Sequence, residues 1–349
     1  MENLSVKYYR EGRKKKLIIL GILFATIILS LYALNKGAAG ILFWQTFQSL
    51  FGKGQDISNI VIWNIRLPRV IGGIVVGGGL AMAGTIMQTC LGNPLASPSI
   101  LGISSAAAFG ANIAIVFFNA GLVGNEAISI NNPYIVTIFA FGFSTLAMFC
   151  ILSIARLKSF SRESIILAGV AFNSLFTAGS TLIQYFAEDF QIAAMVFWTF
   201  GDLGRVSWKE VGILTTFCLL VFIFFMGKRW DFNALDSGED SAISLGVDVD
   251  KIRFISMTLA SLLTAVTVSF MGAIGFVGLI APQMMRRIIG VDHRYLIPAS
   301  AIMGSFILLF SDTLARTIIS PIVLPVGAIT SFFGAPLFLS LLIKGESRR

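Results

Sequence analysis

The chain has 349 residues, of which 56% are hydrophobic and only 13% are charged, and its mean hydropathy is +0.85. A soluble domain would carry about 25% charged residues, so this composition excludes an ordinary soluble protein. The formal net charge of +8 would suit a nucleic-acid-binding protein, but the basic residues flank apolar segments, which indicates membrane topology and no nucleic-acid partner.

The apolar residues form repeated runs of about 20, the length of a membrane-spanning helix. Because backbone groups in lipid must pair within their own segment, we predict an all-α, polytopic helix bundle in a lipid bilayer. One transmembrane domain covers residues 1–349, with a basic cytoplasmic tail at 1–16. The first apolar run is too long for a signal peptide, and no small-residue cleavage site follows it.

In chain order, we predict about ten spans, with a short helix near 193–200 before the sixth. They cover residues 17–35, 62–89, 99–118, 134–155, 164–187, 208–227, 255–274, 276–289, 296–316 and 326–343.

The longest polar interruption is the loop 230–254, between the sixth and seventh spans. If the N-terminus lies in the cytoplasm, most of the 26 Lys and Arg residues also fall on that side. They lie in the tail, after the fourth span, beside the polar loop, after the eighth span and at the C-terminus. This asymmetry follows the positive-inside rule and places the polar loop and both termini in the cytoplasm.

The second span begins with two arginines around a proline and continues with small residues. Arg66 and Arg69 lie three residues apart, and they can either snorkel to the lipid headgroups or dock acidic groups of an external protein. Further along, Gly73, Gly77 and Ala81 place small residues on one face at four-residue spacing. That face predicts the close approach of another helix.

A polar stripe runs along the fifth span. Its members recur every three or four residues and therefore share one helix face. They are Asn173, Thr177, Ser180, Thr181 and Gln184. In a membrane helix such a face should meet protein or water. Two interpretations are open at this point: a path for a polar substrate, or hydrogen bonding between packed helices.

Residues that could carry chemistry are rare. The cysteines are far apart and the single histidine, His293, lies in a predicted polar loop, so we predict no disulfide, metal site or cofactor. The chain has no GxxxxGK[ST] loop for binding ATP. Near the outer end of the ninth span, Asp312 and Arg316 are spaced to pair on one helix face.

Within the polar loop, the sequence favours a short helix over 237–245. Asp236 and Glu239 resemble a capping box at its start, and Gly246 suits the position after its end. Such a helix would expose three apolar residues that it cannot bury alone: Ala242, Ile243 and Leu245. The acidic residues of the loop disfavour an anionic membrane surface and favour a protein partner.

Seven segments, in order from about residue 60 to the C-terminus, resemble the FecCD-type permeases, the membrane subunits of ABC importers for iron-siderophores, haem and cobalamin. They are RLPR at 66–69, GNPLASPSILG at 92–102, LDSGEDSAISLGV at 235–247, GAIGFVGLIAP at 272–282, DHRYLIPASAIMG at 292–304, DTLAR at 312–316 and LPVGAITSFFGAP at 324–336.

The resemblance implies a type II ABC importer permease, a non-enzymatic subunit of the bacterial cytoplasmic membrane. Its implied partners are a second permease subunit, two cytoplasmic ATPase subunits and an extracytoplasmic substrate-binding protein. Arg66, Arg69 and Arg316 are then expected to dock the binding protein. The fifth and tenth spans are expected to line the path, which favours the first interpretation of the polar stripe.

The resemblance also marks the polar loop as the element that couples the permease to the ATPase. The residues expected to serve this coupling are Leu235, Asp236, Ser237, Gly238, Glu239, Ala242, Leu245, Gly246 and Val247.

Two positions depart from the family pattern. Val323 replaces an acidic residue that is frequent before LPVG, and Gln283 replaces a histidine that is frequent after the proline of the GLIxP motif. Substrate identity is therefore not carried across: a ferric siderophore is the leading expectation, and haem or cobalamin is the alternative. The lack of intramembrane carboxylates disfavours an ion-coupled secondary transporter, and the lack of paired carboxylates or His clusters disfavours a membrane enzyme.

Overall fold

The computed structural model describes residues 4–37, 43–52, 54, 56–99, 101–118, 120, 133–157, 162–320 and 322–346. Within these ranges the regular structure is helical throughout, as the all-α prediction requires. The α-helices are α1 (Leu4–Asn35), α2 (Phe43–Leu50), α3 (Asp56–Ile60), α4 (Leu67–Leu91), α5 (Ile103–Phe117), α6 (Pro133–Leu157), α7 (Arg162–Phe186), α8 (Asp189–Thr199), α9 (Trp208–Gly227), α10 (Arg229–Asp236), α11 (Glu239–Ser244), α12 (Val249–Met271), α13 (Val277–Ile289), α14 (His293–Thr317) and α15 (Val326–Glu346).

Seven of the described helical segments are long and apolar enough to cross a membrane: α1, a segment from Ile57 to the end of α4, α6, α7, α9, α12 and α14. Three further helices, α5, α13 and α15, lie at the remaining predicted spans. The all-α, multi-span prediction is therefore confirmed for the described part of the chain. Residues 1–3 of the predicted tail, and Arg348 and Arg349, lie outside it.

The helix α4 lies at the centre of the bundle. Of the most apolar 18 residues in the segment from Ile57 to Leu91, 83% are buried. The helix packs against α12, α13 and α14. At Gly77 of α4 and Gly304 of α14, a Cβ added to either residue would overlap the other backbone. This close approach is the one that the small-residue face of the second span predicted.

Some boundaries differ from the predicted ones for local reasons. α1 begins at Leu4 rather than at 17, since Lys, Arg and Glu in the tail are good helix formers. α5 begins at Ile103 rather than at 99, because Gly102 adopts a left-handed conformation with φ +74° before the helix. The short helix predicted near 193–200 covers Asp189–Thr199.

Candidate functional site

The predicted polar loop folds into two short helices, α10 and α11, which we call the helix pair, and its last residues, 249–254, begin α12. Phe232 of α10 is fully buried, and its ring lies against His293. On α11, Ile243 is 59% exposed and Leu245, just after the helix, is 72% exposed. Their predicted exposure is confirmed. For Ala242 it is wrong, because this residue lies on the inner face of α11 and packs in the core.

The end of α11 matches the sequence prediction. Gly246 has a φ of +81°, a conformation that glycine adopts without strain. Its backbone N–H donates to the carbonyl oxygen of Ile243 at 2.9 Å, and the N–H of Val247 donates to that of Ala242 at 3.0 Å. These two bonds form a Schellman motif, which fixes the exposed residues at the end of α11.

The predicted capping box at the start of the helix is wrong. Asp236 is the last residue of α10, and the residue before α11 is Gly238, which has a φ of +115° and no side chain to cap with. The carboxylates of Asp236 and Glu239 instead contact cationic side chains of the transmembrane helices. Those partners are distant in sequence, so the local pattern gave no sign of them.

Glu239 pairs with Arg253, at the start of α12. The Arg253 side chain is 2% exposed, and its Nη2 lies 3.0 Å from Glu239 Oε2. Its Nε donates to the backbone carbonyl of Cys90 at 3.0 Å. That carbonyl belongs to the last turn of α4, where carbonyl groups lack partners within the helix. Arg253 therefore connects α11, α12 and the inner end of α4.

Asp236 contacts the histidine that the sequence placed in a polar loop. His293 is instead the first residue of α14 and is fully buried. Its Nε2 lies 3.0 Å from Asp236 Oδ2 and 3.1 Å from Thr89 Oγ1. Arg286 of α13 donates to Thr89 Oγ1 at 2.7 Å and lies 3.5 Å from Asp236. This cluster joins α10 to three transmembrane helices.

Asn233 of α10 reinforces the same joint. Its Oδ1 accepts a hydrogen bond from the backbone N–H of His293 at 2.8 Å, and its Nδ2 donates to Asp292 at 3.2 Å. Asp292 caps the start of α14. Burial alone would raise the pKa of Asp292, but hydrogen bonds from Arg294 and Asn233 outweigh that effect and lower it.

The other residues predicted for ATPase coupling divide by exposure. Leu235 is buried and Val247 is half-buried. Three more are exposed: Ser237, Gly238 and Gly246. The helix pair thus presents its turn and the end of α11 outward, while the carboxylates of Asp236 and Glu239 contact side chains of the bundle.

A second charged cluster lies near the outer ends of α4 and α14. Asp312 is fully buried and pairs with Arg316 at 3.0 Å, as their spacing predicts. Its carboxylate also accepts two hydrogen bonds from Arg69 of α4, at 2.8 and 3.0 Å from Oδ1. Arg69 lies 3.3 Å from Asp202 as well. This cluster joins α4 to α14 at the end opposite the helix pair.

Two arginines of this region hold the end of α1. Arg66 donates to the carbonyl oxygen of Leu34 at 2.8 Å, and Arg316 donates to that of Lys36 at 3.1 Å. Arg66 and Arg316 are buried, and the Arg69 side chain is 11% exposed. The groups expected to dock an external protein are thus engaged within their own chain. Their docking role stays a prediction.

The polar stripe divides into two parts on α7. The Asn173 side chain accepts a hydrogen bond from Ser105 of α5. Thr177 and Thr181 lie on an exposed face and donate to carbonyl oxygens of their own helix at 2.7 and 3.1 Å. The other two members are half-buried: Ser180 and Gln184. Asn173 therefore joins two helices, and the two threonines remain open to a path or a partner.

Of the two departures from the family pattern, Gln283 has a structural role. Its Nε2 donates to Gln88 Oε1 at 3.0 Å and to the carbonyl oxygen of Pro94 at 2.8 Å, next to the end of α4. Val323 is exposed.

Sequence reasoning missed four residues of the inner site: Thr89, Asn233, Arg253 and Arg286. Each contacts a residue from another helix, so periodicity along one segment cannot identify them. The weak signal available was the polar character of Thr89 and Arg253 at the ends of otherwise apolar helices.

Comparison with known proteins identifies close relatives. The profile of the FecCD transport family matches residues 22–344. An inferred ABC transporter permease protein of Methanocaldococcus jannaschii is 54% identical over 97% of this chain and 98% of its own. The hemin transport system permease protein HmuU of Yersinia pestis is 34% identical over 97% and 99%. Other relatives are named for import of Fe(3+)-hydroxamate, Fe(3+)-citrate and cobalamin.

A solved structure has the same fold. It is described as an inward-facing conformation of an inferred metal-chelate type ABC transporter. The TM-score is 0.81 at 29% sequence identity, and the match covers 94% of this chain and 99% of that one.

Proposed function

The chain belongs to the FecCD transport family, and from that membership we propose that it is the permease subunit of a binding-protein-dependent importer of metal chelates. It would move a chelate, in the first place a ferric siderophore, across a bacterial cytoplasmic membrane. ATP would be hydrolysed by two partner ATPase subunits. As a permease subunit of an ABC transporter it is a membrane component and not a catalytic enzyme.

The observation that carries the proposal is the helix pair. Two large apolar side chains, Ile243 and Leu245, are exposed on a cytoplasmic element whose neighbouring residues are acidic. Exposed apolar side chains with a polar surround are typical of a protein interface. The chain also lacks a phosphate-binding loop of its own, so an ATPase is the partner that an importer would need at this surface.

A second permease subunit would cover the open face of α7. Thr177 and Thr181 are exposed there, in a helix that crosses the membrane. A polar path between two subunits would keep these hydroxyl groups away from lipid. The neutral character of the stripe suits a bulky chelate whose selection takes place on the binding protein, and it favours none of the substrates named for the relatives.

The external binding protein would meet the outer ends of α1, α4 and α14. Because Arg66, Arg69 and Arg316 are turned inward, the docking contact would fall to exposed Lys36, just after the end of α1 that Arg66 and Arg316 hold. Reversal of the arginine charges would disturb folding before it reported on docking, so Lys36→Glu is the cleaner probe of this contact.

The proposed function is tested by reconstitution into proteoliposomes with the cognate ATPase subunits and binding protein. Radiolabelled ferric hydroxamate, ferric citrate, hemin and cobalamin would be supplied separately, with ATP inside the vesicles. Accumulation of one iron chelate that requires both ATP and the binding protein is expected. Uptake that follows an ion gradient without ATP would contradict the proposal and favour a secondary transporter.

We expect Leu245→Asp to weaken binding of the ATPase subunits by at least about thirtyfold, the effect of losing one apolar residue at the centre of an interface. Val291→Asp is the matched control, since Val291 is 56% exposed in the cytoplasmic turn after α13 and lies outside the helix pair. Binding would be measured with purified protein in detergent. Equal affinity of Leu245→Asp and wild type would remove Leu245 from the interface.

A further inference from the structure

Two separate bridges join the helix pair to the last turn of α4, and they end on neighbouring residues. One runs from Asp236 through the His293 ring to Thr89, with Nε2 at 3.0 and 3.1 Å from the two oxygens. The other runs from Glu239 through Arg253 to the backbone carbonyl after Thr89, with both hydrogen bonds at 3.0 Å. The two carboxylates flank the turn between α10 and α11.

We propose that the last turn of α4 is where movement of the helix pair enters the transmembrane domain, and that Asp236 and Glu239 are the positioning residues of this joint. The inference rests on the proposed function, since partner ATPase subunits would supply the movement. Beyond the proposed function, the inference identifies α4 as the helix that receives the movement and Asp236 and Glu239 as the carboxylates that attach the helix pair to it.

The Asp236 bridge resists separation of α10 from α14 and α4. His293 is fully buried, and its Nδ1 has no hydrogen-bond partner among the described residues. A neutral ring with its proton on Nε2 shares that proton between the two oxygens and leaves Nδ1 as an unpaired acceptor, whereas a charged ring would bury a second N–H without an acceptor. Asn233 holds the backbone of the same histidine. Displacement of α10 alone would leave several buried polar groups unpaired, so α10, α14 and α4 should move together.

The Glu239 bridge adds a second attachment to the same turn. Arg253 is almost fully buried and donates to both the carboxylate of α11 and the terminal carbonyl of α4. Loss of one bridge leaves the other in place. Removal of both should therefore have a larger effect than either single change predicts.

The helix α4 is suited to carry displacement across the membrane. It is mostly buried and lies against α14 along its length. At its outer end Arg69 is joined to Asp312 of α14 by two hydrogen bonds. A rigid helix attached at both ends is a physical route for coupling, and direct evidence of coupling must come from variants.

The test compares Asp236→Asn, Glu239→Gln and the double variant in the reconstituted complex with its ATPase subunits and binding protein. The readout is the amount of chelate transported per ATP hydrolysed. The chelate used is whichever of the four named above the wild-type complex transports. A purely structural defect lowers transport and hydrolysis together and leaves this ratio unchanged. In the double variant we expect the ratio to fall by at least about tenfold, since each bridge contains a charge-assisted hydrogen bond.

Asp189→Asn is the matched control, because Asp189 is an exposed carboxylate at the start of α8 and lies outside the helix pair. Its ratio should equal that of wild type. A wild-type ratio in an assembled double variant would overturn the inference. If that variant does not assemble, Thr89→Val combined with Glu239→Gln decides, since this pair also removes one hydrogen bond from each bridge. A lower ratio would support the inference, and an unchanged ratio would overturn it.

If the proposed function is wrong, the experimental result differs from the result expected when only the role of α4 is wrong. In that case the wild-type complex itself would show no ATP-driven uptake of any of the four chelates. Wild-type uptake together with unchanged ratios in the assembled double variant, or in Thr89→Val combined with Glu239→Gln, would leave the function standing and remove only the proposed role of α4.

Discussion

We expect the substitution Gly84→Ala to prevent most of the protein from folding. A Cβ at Gly84 would overlap the backbone of Gly278, where α4 meets α13. The obstacle is backbone rather than a flexible side chain, so relief requires the two helices to move apart. Overpacking in a core typically costs about 1–3 kcal/mol, and a clash with backbone in the most buried helix of the bundle should lie at or above the top of that range.

The matched control is Gly212→Ala in α9. A Cβ there meets no atom within 4 Å, and alanine has the higher helix propensity. The thermal midpoint of each purified variant in detergent would be compared with that of wild type. We expect a large drop or no folded protein for Gly84→Ala and little change for Gly212→Ala. Equal midpoints for both would show that α4 and α13 do not approach as closely as described.

The second large effect is expected from Asp312→Ala. This change would leave the guanidinium groups of Arg69 and Arg316 buried without their shared carboxylate. Removal of one partner of a buried ion pair typically costs about 3–5 kcal/mol, because the remaining charge is uncompensated. The free energy of unfolding should fall accordingly, and the ends of α4 and α14 should separate.

An exposed ion pair provides the comparison. Lys228 and Asp231 lie 3.1 Å apart with side chains 47% and 30% exposed, and such pairs contribute about 0–1 kcal/mol. Asp231→Ala should therefore change stability only slightly. Denaturant unfolding of both variants measures the difference. A loss for Asp312→Ala no larger than that for Asp231→Ala would mean that the outer cluster does not hold the helices together.

The fold was largely predictable from the sequence because membrane helices are long and apolar. The predicted sixth span, 208–227, has the bounds of α9. The pairing of Asp312 with Arg316 followed from helical spacing alone. The third bond partner, Arg69, could not be predicted in this way, since it lies 243 residues from Asp312 and only packing of α4 against α14 brings them together.

The candidate site was less predictable for the same reason. Local patterns identified the glycine at the end of α11 and the exposed apolar residues, since these depend on neighbouring residues only. The same patterns assigned Asp236 and Glu239 to a helix cap. Their partners, His293 and Arg253, come from helices that fold back beneath the pair, and burial of a lone histidine leaves no periodic signal in the sequence.

We propose that the helix pair is the surface through which partner ATPase subunits act on this chain. Amide hydrogen exchange of the purified permease, with and without its ATPase subunits, tests this most directly. We expect slower exchange in residues 239–247 when the ATPase is bound, while the outer ends of α4 and α14 keep their exchange rates. Unchanged exchange in 229–247, with new protection elsewhere on the chain, would contradict the claim.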